Sequence, residues 1–156
     1  MSARSHSNTS GAAAAGGRVY IGNHHGQFLC ADLTRYTVLW RHKPGRKKPV
    51  LSSAAVSSEA VVFGRRDGSV TCLDLSGKLR WQFKAGDYVD SSPVICGDKV
   101  VVGSDDGRLY LLSLIDGKKL WSKDLGEAIA TSPAVTAGRV FVACADGAVY
   151  AFGSAK

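Results

Sequence analysis

The stretch that decides the fold is residues 91–121, which read SSPVICGDKVVVGSDDGRLYLLSLIDGKKLW. Its four short apolar runs are separated by a glycine and by two Asp-Gly pairs. Because glycine has no Cβ, Gly107 and Gly117 can adopt the positive φ that tight hairpin turns need. The pattern therefore predicts one four-stranded antiparallel sheet. Its strands are expected at Val94–Cys96, Lys99–Gly103, Arg108–Ser113 and Lys118–Lys123.

The two middle strands of this sheet carry apolar residues on both faces. Val100, Val101 and Val102 follow one another in the second strand, and residues 109–112 do the same in the third. A strand exposed to water on one face would instead alternate apolar with polar side chains. Both faces of the sheet must therefore be covered by other parts of the chain.

The same unit recurs along the chain at an interval of about 40 residues. The tryptophans stand at positions 40, 81 and 121, at intervals of 41 and 40. Residues 22–33, 64–75, 103–114 and 143–154 read GNHHGQFLCADL, GRRDGSVTCLDL, GSDDGRLYLLSL and ACADGAVYAFGS. Repeats of this length with four strands each are typical of β-propeller blades, whose rings hold about 4 to 8 of them.

The sequence thus predicts an all-β propeller of four-stranded antiparallel blades, with about four incomplete blades in this chain. The first blade has a weak, alanine-rich innermost strand near residues 12–15, and the fourth lacks an outermost strand, so fifteen strands and no helix are expected. The segment 1–10 is predicted to be disordered, and the partial propeller to occupy 11–156. The blades are expected at about 11–50, 51–90, 91–130 and 131–156.

The repeat resembles the pyrroloquinoline-quinone-type (PQQ-type, quinoprotein) repeat over nearly everything after Gly16. The motifs that carry the resemblance are Ser-Ser-Pro, Val-x-Val-Gly-Ser-x-Asp-Gly-x-Leu-Tyr-x-Leu and Asp-Gly-Lys-x-x-Trp. WD-repeat propellers are the rival. Arg41, Gln82 and Ser122 follow the tryptophans where that family has aspartate, and no Gly-His pair opens a copy.

This resemblance implies that the repeat tryptophan packs between neighbouring blades, near the glycine-bearing turn of the next blade. A ligand-stacking role for the tryptophans is the alternative. The residues matched to blade docking are Trp40, Trp81, Trp121, Gly68, Gly107 and Gly147.

Quinoprotein propellers include quinone-dependent dehydrogenases, envelope-assembly lipoproteins that bind other proteins, and sensor or accessory domains. The resemblance implies that a dehydrogenase would show an adjacent cysteine pair, an acidic base and calcium ligands. The cysteines at 30, 72, 96 and 144 are far apart, and most acids fall beside turn glycines. We therefore expect no catalytic residue, metal or cofactor. His24 and His25 are interpreted as turn residues, with a ligand role as the alternative.

The net charge is +7, from 20 Lys and Arg against 13 Asp and Glu, and favours acidic partners or surfaces. The sequence shows no aromatic stacking face, so we expect no specific nucleic-acid binding. No window approaches the roughly 18–20 apolar residues of a membrane span. Residues 1–17 lack the apolar core of a signal peptide, which favours the cytoplasm if Met1 is the true start, although the family resembled is often exported to the periplasm or cell envelope.

Two features depart from the repeat. Trp40 to Ser53 spans 13 residues where the two later connections span 11, and the segment 41–49 holds the densest charge of the chain. The sequence Asp87-Tyr88-Val89-Asp90 stands in the equivalent connection one blade later. Either feature is a solvated connection or a partner contact. The residues predicted to bind a partner are Arg46, Lys47, Lys48, Tyr88 and Asp90.

The function predicted from these observations is that of a non-catalytic module that binds or scaffolds proteins, with an anionic surface as the other partner of the basic segment. The alternative is a fragment or accessory domain of a PQQ-dependent dehydrogenase or another multidomain enzyme. An open arc of four blades would expose two apolar sheet faces. We therefore expect a fragment of a longer propeller or, as the less favoured case, a homodimer that closes a ring of about eight blades.

Overall fold

The computed structural model describes residues 10–45 and 47–153. Within these ranges fifteen strands form four antiparallel sheets, and none of the residues is helical. Each sheet is a meander, in which every strand pairs with its sequence neighbours. The predicted all-β architecture of about four incomplete blades is confirmed. Residues 1–9, which belong to the segment predicted to be disordered, lie outside the described ranges.

The first blade consists of β1 Ala13–Ala15, β2 Arg18–Gly22, β3 Phe28–Asp32 and β4 Thr37–His42. The second consists of β5 Ala55–Val56, β6 Ala60–Gly64, β7 Ser69–Asp74 and β8 Leu79–Lys84. The third consists of β9 Val94–Cys96, β10 Lys99–Gly103, β11 Arg108–Ser113 and β12 Lys119–Asp124. The fourth consists of β13 Ala134–Thr136, β14 Arg139–Ala143 and β15 Val149–Gly153.

Turn chemistry explains why the hairpins form where the sequence predicts them. Gly107 has φ +81° and Gly117 has φ +71°, which are values that side chains with a Cβ rarely adopt. The outermost strand β12 begins one residue later than predicted. Leu111 pairs with Trp121 and Leu112 with Lys119, so Leu120 of β12 is left unpaired in a β-bulge, and such a bulge displaces the pairing by one residue.

Three apolar cores lie between successive blades, and each is formed by the facing sides of two sheets. Between the first and second blades, Tyr20 and Phe28 pack with Val61 and Phe63, and the two phenylalanine rings stack at 3.9 Å. The innermost strands of neighbouring blades also contact one another in chain order. The sheets are therefore stacked as the blades of a propeller arc.

The connections between blades run across one end of the stack. The backbone N–H of Val50 donates to the carbonyl of Asn23 in the first blade at 3.0 Å. The N–H of Arg66, in the second blade, donates to the carbonyl of Pro49 at 3.0 Å. Each connection is thus hydrogen-bonded to a turn of the blade that it leaves and to a turn of the blade that it enters.

We call this end of the arc the connection face; it comprises the connections 43–54, 85–93 and 125–133 with the β2–β3, β6–β7, β10–β11 and β14–β15 turns. Val50, Val89 and Ile129 are fully buried at equivalent positions of the three connections. Val89 packs on Gly64 so closely that the glycine has no space for a Cβ. This packing holds the polar residues on either side of Val89 in defined positions on the connection face.

Candidate functional site

The connection face brings the two departures from the repeat together. Lys48 from the first connection and Tyr88 from the second line one cavity of about 230 Å³, along with Arg66 and Lys84. The backbone of Lys48 is held in place because it lies directly against Gly26 of the first blade. Sequence spacing alone gave no reason to place residues 48 and 88 in the same cavity.

A second cavity, of about 390 Å³, lies beside the β2–β3 turn of the first blade. Lys43 and Lys47 line it together with His25 and Gln27, and its described lining residues include no acid. Lys47 and Lys48, predicted to bind a partner, therefore line adjacent cavities. Arg46 lies outside the described residues.

Arg66 organises the second connection. Its guanidinium donates through Nε and Nη2 to Asp90 Oδ2 at 2.9 and 2.6 Å, and its central carbon lies 5.5 Å from the centroid of the Tyr88 ring. The hydrogen bond to Asp90 raises the pKa of Arg66. Asp90 keeps only 15% of its side chain exposed, whereas Tyr88 is 43% exposed. Tyr88 therefore presents an accessible ring, while Asp90 holds Arg66 under it.

Arg65, next to Arg66 in the β6–β7 turn, is 2% exposed, and its Nη1 contacts Asp67 Oδ2 at 2.8 Å. Burial lowers the pKa of Arg65. Burial and the charge of Arg65 also lower the pKa of His42, at the end of β4. No role was assigned to Arg65 or Arg66 from the sequence. The signal that would have separated them is an arginine pair at a turn where no other blade has even one arginine.

Asp105 and Asp106 are the acids of the third blade on this face, and Asp106 binds the backbone and a tyrosine hydroxyl. Asp106 Oδ2 accepts hydrogen bonds from the Gly86 N–H at 2.7 Å and from the Tyr110 hydroxyl at 2.6 Å. Burial and this bond to Asp106 raise the pKa of Tyr110 to about 12. Burial, followed by the charges of Asp90 and Asp87, raises the pKa of Asp105. Asp67 and Asp87 also line the cavity of about 230 Å³, so acidic and basic side chains share it, whereas the cavity beside Lys43 and Lys47 has no acid among its described lining residues.

Two tryptophans are seated between blades. The Trp40 indole N–H donates to the Leu75 carbonyl of the second blade at 3.0 Å, and the ring lies on Gly77. The Trp81 indole N–H donates to the Leu114 carbonyl of the third blade at 2.8 Å. A Cβ at Gly117 would lie 2.6 Å from the Trp81 ring, so this turn requires glycine for contact as well as for its positive φ.

Trp121 is placed differently, with 41% of its surface exposed and its ring 5.6 Å from that of Phe152. The positions equivalent to the turn under Trp81 follow Gly153, outside the described residues. Gly68 and Gly107, matched to blade docking from the sequence, lie against the connections at Asp87 and Glu127 rather than at a tryptophan ring, and nothing lies within 4 Å of a Cβ at Gly147.

The glycines at the tryptophan rings are Gly77 and Gly117, which the sequence interpretation did not assign to docking. Their recurrence 40 residues apart, just before the outermost strand, is the signal that could have identified them. Each also has a positive φ, +86° and +71° respectively. The seat of the indole is therefore the β7–β8 or β11–β12 turn, not the turn on the connection face.

The cysteines and histidines form no reactive cluster among the described residues. Cys30, Cys72 and Cys144 are buried and Cys96 is exposed, all as free thiols. Burial raises the pKa of Cys72 to about 11, so this thiol stays protonated at neutral pH. Across 10–45 and 47–153, no group of three His, Cys, Asp or Glu side chains is arranged to hold a metal ion. His25 belongs to the β2–β3 turn, where its backbone N–H donates to Asn23 Oδ1.

Stacked four-stranded blades, joined by repeat tryptophans on turn glycines, define a β-propeller arc of PQQ-type repeats. The sequence model of the family described as outer membrane protein assembly factor BamB matches residues 66–156, more than half of the chain. The chain therefore belongs to this family, and the resemblance to PQQ-type repeats is confirmed. No curated protein matches the chain.

Solved structures show the same fold. BamB from Moraxella catarrhalis superposes with a TM-score of 0.81 at 21% identity, over 94% of this chain and 50% of that one. The computationally designed Ika4 protein superposes with a TM-score of 0.85 at 20% identity, over 97% of this chain and 95% of that one. A europium-containing methanol dehydrogenase superposes with a TM-score of 0.65 at 20% identity, over 74% of this chain and 24% of that one.

The chain thus spans half the length of the Moraxella catarrhalis BamB. In the part of the chain that the structure describes, no helix has the length and apolar character needed to cross a membrane.

Proposed function

We propose that this chain is a non-catalytic protein-binding module, and that its connection face takes an acidic segment of a partner protein. The observation that carries the proposal is the cavity of about 390 Å³ that Lys43 and Lys47 line with no described acid. Next to it, Lys48, Arg66, Lys84 and Tyr88 line a second cavity together with Asp67 and Asp87. The name of the family, an assembly factor for outer membrane proteins, describes a role among other proteins and supports a binding function.

The chemistry of the face favours a carboxylate-bearing peptide with an apolar or aromatic residue. The connection face carries three exposed lysines, Lys43, Lys47 and Lys48. They take part in none of the ion pairs found among the described side chains, so their charges are available to carboxylates. Tyr88, oriented by Arg66, offers a rigid ring of the kind enriched where proteins bind one another. Lysine and tyrosine side chains then bind different parts of the same segment.

The test uses a fluorescently labelled peptide of alternating glutamate and phenylalanine as the probe. Replacing Lys43, Lys47 and Lys48 together by Ser should weaken its binding about tenfold or more at low salt, a change of about 1.4 kcal/mol. The unfolding free energy of the variant should stay within about 0.5 kcal/mol of that of the parent, because these are surface substitutions. Raising the salt concentration should weaken binding by the parent, since exposed charges are screened over about 8 Å at physiological salt.

The matched control replaces Lys78, Lys118 and Lys119 by Ser. These three lysines are exposed at the hairpins on the opposite end of the strands, so the change in net charge is the same. The control should bind the probe like the parent. Equal weakening by both triple variants would mean that net charge alone drives binding, and the connection face would then be excluded. Binding to phosphatidylserine vesicles without binding to the peptide would instead assign the lysines to an anionic surface.

A further inference from the structure

The first blade leaves its leading face, the one directed away from the second blade, without a partner blade. Positions that face the preceding blade are fully buried inside the arc, as Val61 and Phe63 of β6 show. The equivalent residues of β2, Val19 and Ile21, are only partly buried. The leading face therefore carries apolar residues at the positions that the repeat buries elsewhere, but these residues remain accessible to water.

The fourth blade leaves its trailing face open in the same way. Val70 and Leu109, which face the following blade, are 0% and 1% exposed, whereas the equivalent Val149 is 71% exposed. Ala151 is exposed at the position where Cys72 is fully buried. The two open faces hence carry the two halves of the interface that occurs three times within the arc.

We propose that these faces form an interface between two copies of this chain, with the fourth blade of each copy packed on the first blade of the other. Two identical junctions of this kind close a two-fold symmetric ring of about eight blades, within the usual range for propellers. The chain covers half of the Moraxella catarrhalis BamB, so two copies together match the length of that one chain. The continuity of the new junction with the three internal interfaces is the physical basis of the proposal.

Tyr36 favours a second copy over a neighbouring blade that carries a repeat tryptophan. The pairing of Ala31 with Val38 and of Leu112 with Lys119 aligns Tyr36 with Gly117. Tyr36 has φ +54° and is 90% exposed, although glycine occupies this position wherever an indole ring is received. A tryptophan arriving at the first blade would meet the Tyr36 side chain.

The described strands of the fourth blade, β13, β14 and β15, contain no tryptophan. Among the residues described up to Gly153, no indole ring covers the trailing face, on which Val149 is 71% exposed. The tyrosine side chain of the second copy can occupy this space next to the apolar trailing face. Tyr36 and the fourth blade are thus complementary across the proposed junction.

The first test is the mass in solution, measured by light scattering during size exclusion at concentrations up to about 100 μM, a range that captures micromolar dissociation constants. We expect twice the 16.4 kDa of one chain. Val149→Asp should give a monomer, because it places a charge in both junctions. Ile115→Asp is the matched control, as Ile115 is also 71% exposed but belongs to a turn of the third blade.

The second test is Tyr36→Gly. Glycine tolerates the positive φ without strain, so the unfolding free energy of the monomer should not fall. The dissociation constant of the dimer should nevertheless rise about tenfold, because the side chain that fills the junction is lost. Salt separates this interface from partner binding. Two copies with a charge of +7 repel one another, so self-association should hold or strengthen with salt while binding of an acidic peptide weakens.

A monomer at every concentration, an unlimited series of larger assemblies, or a Val149→Asp variant that dimerises like the parent would each overturn the proposal. A Tyr36→Gly variant that dimerises as tightly as the parent would remove Tyr36 from the junction. None of these outcomes depends on whether the connection face binds a peptide, so the two proposals fail or stand separately.

Discussion

At the scale of single residues, the stacking of blades depends on pairs in which one residue is large and the other has no side chain. Trp81 is 7% exposed; its ring lies on Gly117 and its N–H reaches the Leu114 carbonyl. A buried indole that finds an acceptor satisfies its only polar group while contributing a large apolar surface. The pair therefore stabilises the interface between the second and third blades by packing and by a directed hydrogen bond.

Trp81→Ala should cost about 3–5 kcal/mol of unfolding free energy, because truncating a buried aromatic leaves a cavity and an unpaired carbonyl. The measurement is urea denaturation followed by circular dichroism. Trp121→Ala is the control, since this ring is 41% exposed and its removal should cost clearly less. A loss of less than about 1 kcal/mol for Trp81→Ala would show that the ring contributes little to the interface.

At the scale of elements, in the first two blades a serine hydroxyl ahead of the innermost strand bridges to the end of the second strand of the same blade. Ser52 Oγ accepts a hydrogen bond from the Gly64 N–H at 2.7 Å and donates to the Gly64 carbonyl at 3.1 Å. Ser10 makes the same two contacts with Gly22, at 3.1 and 3.0 Å. This bridge replaces the ladder bonds that the short innermost strand does not extend far enough to make.

Ser52→Ala should destabilise the chain by about 1–3 kcal/mol, because the Gly64 N–H would then be buried without an acceptor. Ser52 is 1% exposed, so water cannot easily take its place. Thermal unfolding of the variant is the measurement, with the exposed Ser58→Ala as the matched control. Identical midpoints for the two variants would contradict a structural role for the bridge.

At the scale of the whole molecule, stability should be uneven along the arc. The second and third blades are covered on both sides, whereas the fourth has three described strands and one open face. In stacked repeats each unit contacts only its neighbours, so a unit with a single neighbour is held less firmly. The connection face and the open faces then differ in kind, since the former is polar and well packed and the latter are apolar and uncovered.

Amides of β14 should exchange with deuterium faster than the equivalent amides of β10 when the protein is dilute, because local opening is cheapest where least surface is buried. Protection of β14 should rise at concentrations where two copies associate. Hydrogen-exchange mass spectrometry measures both effects, with β6 as the internal reference. Uniform exchange in all four blades, independent of concentration, would show that the fourth blade is as well covered as the others.

Local features of the strands could be predicted from the sequence, whereas contacts between blades could not. Strand positions such as Lys99–Gly103 and Arg108–Ser113 were predicted correctly to the residue, because alternation, apolar runs and turn glycines are local properties of the sequence. Both ends of β12 differ by one residue from the predicted Lys118–Lys123, since bulges and fraying shift strand ends by about one residue. The glycines that receive tryptophan were missed, because two recurring turn glycines per blade look alike until the blades are stacked.

The sequence by itself determined the repeat, the strand order, the number of blades in the chain and the family of propellers to which the repeat belongs. Each of these follows from residues near one another or from a period of about 40 that is visible without a structure. Only the tertiary structure decided that Arg66 pairs with Asp90 beneath Tyr88, and that Lys48 shares their cavity. It also decided that Val149 is open where Val70 is covered. These contacts join different turns and blades, and their geometry is set by how sheets stack rather than by any local pattern.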